Sequence, residues 1–167
     1  MSLILRNILI NLFYYGVTLV ALPWILLSLE FAVGIVRHPS LTIRVASILL
    51  ASAGALLQFW CIALFHVSGM GTPSPAFAPK KLVTRGPYAW VRNPMNLGEL
   101  LVFVALAAWF ASPFLLAYTI IAALTFHSFI VKWEEPQHLR RFGKEYLTYE
   151  SRVSRWIPKL KRAGQPK

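Results

Sequence analysis

Four apolar stretches, at about 8–33, 43–67, 97–111 and 113–131, constrain this chain more than any other feature. Hydrocarbon offers no water to satisfy backbone N–H and C=O groups, so a continuous apolar stretch closes its own hydrogen bonds as a helix. Roughly 20 residues are needed to cross a bilayer. The first, second and fourth stretches meet or approach that length, and the third is short. Pro23 interrupts the first, which a membrane helix tolerates. Only Ser112 and Pro113 separate the third stretch from the body of the fourth, which predicts a tight helical hairpin. The expected fold class is all-α: an integral membrane protein of about four transmembrane helices.

The composition agrees. Hydrophobic residues make up 57% and charged residues 14% of 167 positions, with a mean hydropathy of +0.57. Soluble domains carry about twice that share of charge. The length suits one domain, with two spans in 1–67, a core in 68–158 and a basic tail in 159–167. The N-terminal run is too long for a signal-peptide core and lacks a clear small-residue cleavage site, so it reads as a retained anchor.

Seventeen Lys/Arg against six acidic residues, all glutamate, give a net charge of +11. The positive charge is clustered beside apolar spans, which points to lipid headgroups and membrane orientation rather than to nucleic acid. Lys80, Lys81, Arg85 and Arg92 precede the third stretch, ten Lys/Arg follow from Lys132 onward, and the 111–113 turn has none. By the positive-inside rule the 68–96 loop, the tail and both termini are cytoplasmic. Arg37 and Arg44 stand against this assignment in the N-terminal half.

Several chemistries drop out. Cys61 is alone, so neither an intramolecular disulfide nor a cysteine zinc site is available. His38, His66, His127 and His138 show no ligand spacing, so no metal site is expected. The Gly69-to-Gly71 stretch has no third glycine and follows no strand, so it is not a nucleotide fingerprint. The 68–84 segment reads as a Pro/Gly-rich connector. After Trp133, residues Leu139, Phe142, Tyr146, Tyr149 and Val153 recur at helical spacing among basic residues, which predicts one amphipathic helix at the cytoplasmic membrane surface.

Two polar clusters remain, RGPYAWVRNPMNLGE at 85–99 and KWEEPQHLRRFGKEYLTYESRVSRWIP at 132–158. The hairpin returns the chain to the side it left, so the two clusters are expected to meet. Their arginines suit a carboxylate, their glutamates an ammonium or sugar hydroxyls, and their aromatics a flat ring or a cation. S-adenosylmethionine carries all of these groups. Physics alone does not single it out from other nucleotides.

The order of residues adds to this. The stretches at about 69–158 resemble the membrane-integral methyltransferases that include isoprenylcysteine carboxyl methyltransferases and phospholipid N-methyltransferases. The resemblance runs through Gly-Pro-Tyr at 86–88, Arg-Asn-Pro at 92–94, Gly98, Glu-Glu-Pro at 134–136, Phe142-Gly143, Tyr146 and a closing segment with Arg155. It implies an S-adenosylmethionine pocket formed by Gly86, Tyr88, Arg92, Asn93, Pro94, Asn96, Gly98, Glu134, Glu135, His138 and Tyr146. It also implies catalytic roles for Glu135, Glu99 and Arg155 in methyl transfer to a lipophilic carboxylate, thiol or amine beside the membrane lipids. Asn96, His138 and Ser154 depart from the family's usual tyrosine, leucine and proline, which bears on substrate choice. Two other readings compete: a non-catalytic membrane scaffold that binds lipid, and a related membrane reductase using a nicotinamide cofactor.

Overall fold

The computed structural model describes residues 3–35, 37–67 and 81–159. Most of the 68–84 connector and all but the first residue of the 159–167 tail lie outside them. Among the described residues the regular structure is helical. The helices are α1 (Leu3–Tyr15), α2 (Leu22–Ala32), α3 (Leu41–Val67), α4 (Pro94–Phe110), α5 (Pro113–Phe129), α6 (Glu135–Phe142) and α7 (Lys144–Arg152). The nearest thing to a strand is one parallel bridge between Val91 and Ser154.

Two prolines explain why the long helices are not uniform. A proline inside a helix lacks its N–H, and its ring clashes with the carbonyl four residues back. Pro23 and Pro136 each follow a π-helical turn, Gly16–Ala21 and Ile130–Glu134 respectively. The residues four back, Leu19 and Lys132, lie inside those wider turns, where the extra residue makes room for the ring. Neither proline therefore ends its helix. The fourth apolar stretch, expected to stop near 131, continues as one helical rod from Pro113 to Phe142.

Three segments, Leu12–Ala32, Leu41–Phe65 and Pro113–Phe142, are long and apolar enough to cross a membrane. Helix α4 is apolar but only 17 residues long, the short third stretch of the sequence. Phe13 and Phe31 are 75% exposed and Phe59 is 70% exposed, surfaces that acyl chains cover without cost. This is an integral membrane protein in contact with membrane lipid.

The chain divides into two compact units. The first joins Met1–Ala51 to Leu101–Ile121. It contains the predicted tight hairpin turn, and its caps account for the turn's backbone. Ala111 takes φ +48°, Ser112 N–H donates to Ala107 O at 3.0 Å and Ala111 N–H to Ala108 O at 3.1 Å, a Schellman closure of α4. Ser112 then serves as N-cap of α5, its Oγ accepting from Leu115 N–H at 2.9 Å, with Pro113 in the first helical position. Glu30 completes the cap. Its Oε1 accepts from Ser112 Oγ at 2.8 Å and from Phe114 N–H at 2.7 Å, and the residue is 4% exposed. A carboxylate at a helix N-terminus meets the positive end of the dipole, so a buried acid in the membrane class of fold has its partners. The rings of Phe103 and Tyr118 pack at 5.0 Å between α4 and α5.

The second unit joins Ser52–Leu100 to Ala122–Lys167 and holds both polar clusters. Its close approach of α3 and α4 depends on Gly98, where a Cβ would stand 2.7 Å from Gly54 O and 2.9 Å from Gln58 Cγ. The single amphipathic helix expected after Trp133 is instead two. Gly143 breaks it at φ +52°, ψ −124°, a conformation that favours glycine, and Val153 is already extended. The break turns Tyr146 and Tyr149 into the protein, where both are buried, while Leu139 and Leu147 stay exposed.

Candidate functional site

The loop from Val83 to Asn93 cannot run as an α-helix, because Pro87 and Pro94 disfavour α-helical backbone in the residues before them. Gly86 (φ +60°) opens a short 3₁₀ turn, Gly86–Ala89. A side chain at Gly86 would meet Leu64 Cδ1 at 2.7 Å and the Trp60 indole at 3.4 Å, so this glycine lets the loop lie against α3. Trp90 packs edge-on to Trp60, and Tyr88 edge-on to Phe65, extending the same contact. Pro94 is buried and begins α4.

This fixed loop delivers Arg92 into the acidic face of the C-terminal segments. Arg92 Nη1 lies 2.7 Å from Glu150 Oε1, 3.0 Å from Glu135 Oε1 and 3.1 Å from the Tyr146 hydroxyl. Its backbone N–H donates to Ser154 O at 2.8 Å. The side chain is 9% exposed, and its Nε has no hydrogen-bond partner among the described residues. Arg155 donates from Nε to Glu135 Oε1 and from Nη2 to Glu135 Oε2, both at 2.8 Å, a fork-on-fork pair. This hydrogen bond to Glu135 raises the Arg155 pKa further, so its charge is fixed. Asn93 Nδ2 reaches Arg155 O at 3.5 Å. Two arginines and two carboxylates thus interlock, with Glu135 taking two N–H donors from Arg155 and an ion pair from Arg92.

The π-helical turn aims Glu135. One extra residue in a helical turn rotates everything after it by about 100°, which changes the face that α6 presents relative to α5. Glu134, the neighbouring carboxylate, lies 3.5 Å from His138 Nε2 one turn on. His138 also stacks beside Tyr146, at 5.5 Å between rings. Tyr149 donates to Tyr88 O at 2.7 Å, which ties α7 to the loop. Burial pushes the Tyr146 phenol up to about 12, and pushes Tyr88 and Tyr149 higher, so all three remain neutral.

Of the residues singled out in the sequence, Arg92, Asn93, Glu135, Tyr146 and Arg155 meet in this network, with Tyr88 joined to it through Tyr149. Gly86 and Gly98 serve loop and helix packing. Asn96 is half-buried and Glu99 buried on the first turns of α4. Glu150 escaped the sequence reading, although it stands four residues after Tyr146 and therefore on the same helical face. Among the described residues no group of acids, histidines and cysteine has metal-binding geometry.

A family model described as phospholipid methyltransferase matches residues 42–145, well over half of the chain. The chain belongs to the phospholipid methyltransferase family. That match spans α3 through the first residues of α7, and so takes in Arg92, Glu135 and the loop that carries them. No curated protein and no solved structure matches the chain. Methyl transfer at a membrane is the family's activity.

Proposed function

We propose that this member transfers a methyl group from S-adenosylmethionine to a lipophilic acceptor, with the Arg92–Glu135 network as the donor site. Bound there, S-adenosylmethionine would supply an electrophilic methyl on a sulfonium. One observation carries the reading: Arg92 is almost fully buried, braced by two carboxylates and a phenol, and still has an unused Nε–H. A buried donor without a partner costs about 1–3 kcal/mol, which a ligand acceptor such as a carboxylate would recover.

The other residues fall into roles around it. Glu135 holds Arg92 and Arg155 in place and acts as a positioning group, since the Arg155 fork and the Arg92 ion pair already occupy its oxygens. Glu134 is more open and suits an ammonium or sugar hydroxyls. Tyr88 and His138 offer flat faces for a base, and Tyr146 packs buried beside His138. Asn93, Pro94, Asn96, Gly86 and Gly98 shape the loop and the start of α4. Glu99 is the carboxylate we assign to accept a proton when the acceptor is an amine; a carboxylate or thiol acceptor needs little base. Positioning in a dry pocket would supply most of the rate. The basic residues at 80–92 and after Lys132 support a site and termini on the cytoplasmic face, the membrane itself being, on the family resemblance, a bacterial inner membrane, with 68–158 as the catalytic core of one domain.

The test is transfer of a labelled methyl from S-adenosylmethionine into membrane-extracted lipids by purified protein. Incorporation that falls at least tenfold in Arg92→Ala supports the reading. Folded protein that neither binds the donor nor labels any lipid overturns it.

A further inference from the structure

Arg92 engages its neighbours through a single nitrogen. All of its side-chain contacts run from Nη1, to Glu150, Glu135 and the Tyr146 hydroxyl. No described residue accepts a hydrogen bond from Nε or Nη2, and Nε is buried. Together Nε and Nη2 form one of the flat donor edges of a guanidinium. Arg155 applies the same edge to Glu135, with both bonds at 2.8 Å. The corresponding edge of Arg92 is therefore shaped for a carboxylate that no described residue supplies.

Charge limits what can bind there. The network already balances two guanidinium groups, Arg92 and Arg155, against two carboxylates, Glu135 and Glu150. A third carboxylate on Arg92 would leave a surplus negative charge in a largely buried cluster, which is costly. One acid of the pair has to give way, and the two differ sharply. Glu135 is held by both arginines, and its side chain is 13% exposed. Glu150 is 37% exposed, and among the described residues its carboxylate bonds to Arg92 alone, at 2.7 Å. It also stands in the last turn of α7, where the negative end of the helix dipole disfavours an acid.

We propose that Glu150 is a built-in competitor for Arg92, a carboxylate that swings out to water when the carboxylate of the methyl donor takes the Nε–Nη2 edge. Glu150 thereby weakens donor binding, and it keeps a lone anion from being held as tightly as Arg92 would otherwise hold it. The identity of the ligand rests on the donor-site reading, while the exchange itself needs only a carboxylate.

The experiment uses full-length protein in detergent with ¹⁵N-labelled arginine. The Arg92 Nε–H resonance is identified by its loss in Arg92→Lys. The probes are formate, S-adenosylmethionine and the decarboxylated analogue of S-adenosylmethionine. Formate is expected to move the Arg92 resonance saturably, at about fivefold lower concentration in Glu150→Gln than in the parent, the scale of one partly exposed ion pair. Glu150→Gln and Glu150→Ala should each bind S-adenosylmethionine about fivefold more tightly, and should gain nothing for the decarboxylated analogue. A residue that merely braced the loop would give the opposite sign, with both donors bound more weakly. Unchanged or weaker binding of formate in Glu150→Gln, an Arg92 resonance that formate does not move, or an equal gain for the decarboxylated analogue overturns the proposal. S-adenosylmethionine bound by the parent with no gain in the Glu150 variants sinks the exchange and leaves the donor-site reading standing. The formate result as described, in protein that binds no S-adenosylmethionine, sinks the donor-site reading and leaves the exchange standing.

Discussion

Glu135→Gln probes the network at its most connected carboxylate. The substitution deletes one charge between two guanidinium groups and turns one oxygen into an NH₂ donor. If the amide keeps its oxygen at the Oε1 position, the 2.8 Å bond from Arg155 Nε and the 3.0 Å contact to Arg92 survive in neutral form. The 2.8 Å bond from Arg155 Nη2 is then lost to a donor–donor contact. The opposite orientation loses more. Arg92 keeps Glu150 at 2.7 Å and Tyr146 at 3.1 Å, so Arg155 bears most of the damage. Removing one partner of a buried pair costs about 3–5 kcal/mol, and Glu135 at 13% exposure with Arg155 at 27% belongs at the lower end, about 3 kcal/mol. That corresponds to a roughly hundredfold change in the folded population. Denaturant titration in mixed micelles measures it, in a double-mutant cycle with Arg155→Met. The expected coupling is about 2 kcal/mol, because Glu135→Gln does far less harm once Arg155 is gone. Costs that add within about 0.5 kcal/mol, or a Glu135→Gln protein as stable as its parent, would show that this ion pair contributes nothing.

Gly98→Ala should destabilise the protein by about 1–3 kcal/mol, because its Cβ would press on the Gly54 carbonyl, which cannot yield without moving α3; thermal unfolding in detergent reads this. Glu30→Ala removes the acceptor for Ser112 Oγ and Phe114 N–H, and should cost about 1–2 kcal/mol in the same assay, with Glu30→Gln costing less. Tyr146 titrates near 12 when folded and near 10 when unfolded, so the folded state holds its proton between those values while the unfolded chain releases it. Stability should therefore fall as pH rises from about 10 to about 12, and Tyr146→Phe should flatten that slope in a pH series of unfolding midpoints.

The sequence was most legible where a single residue type imposes geometry. Pro94, the Ser112–Pro113 pair and the apolar runs marked the hairpin, because proline and a capping serine act locally. The meeting of Arg92 with Glu135 followed from topology: a hairpin returns its ends to one side. Less legible was anything decided by tertiary partners. Glu150 looked like an ordinary surface acid until Arg92 arrived beside it. The periodicity of Leu139, Phe142, Tyr146 and Tyr149 ran across Gly143 unbroken, since period counting does not register a backbone at positive φ. The π-helical turns before Pro23 and Pro136 were hidden as well, since period counting does not register one extra residue in a turn, and the fourth stretch looked as though it ended near 131. Glu30 gave no sign of its role because its partners lie some eighty residues away.

The most direct measurement is photocrosslinking of labelled S-adenosylmethionine to the purified, full-length protein, with the adducts mapped to peptides. Adducts in both 85–99 and 132–158, and their loss in Arg92→Ala, are the predicted result. Adducts confined to α1–α2, or spread without regard to Arg92, would contradict it.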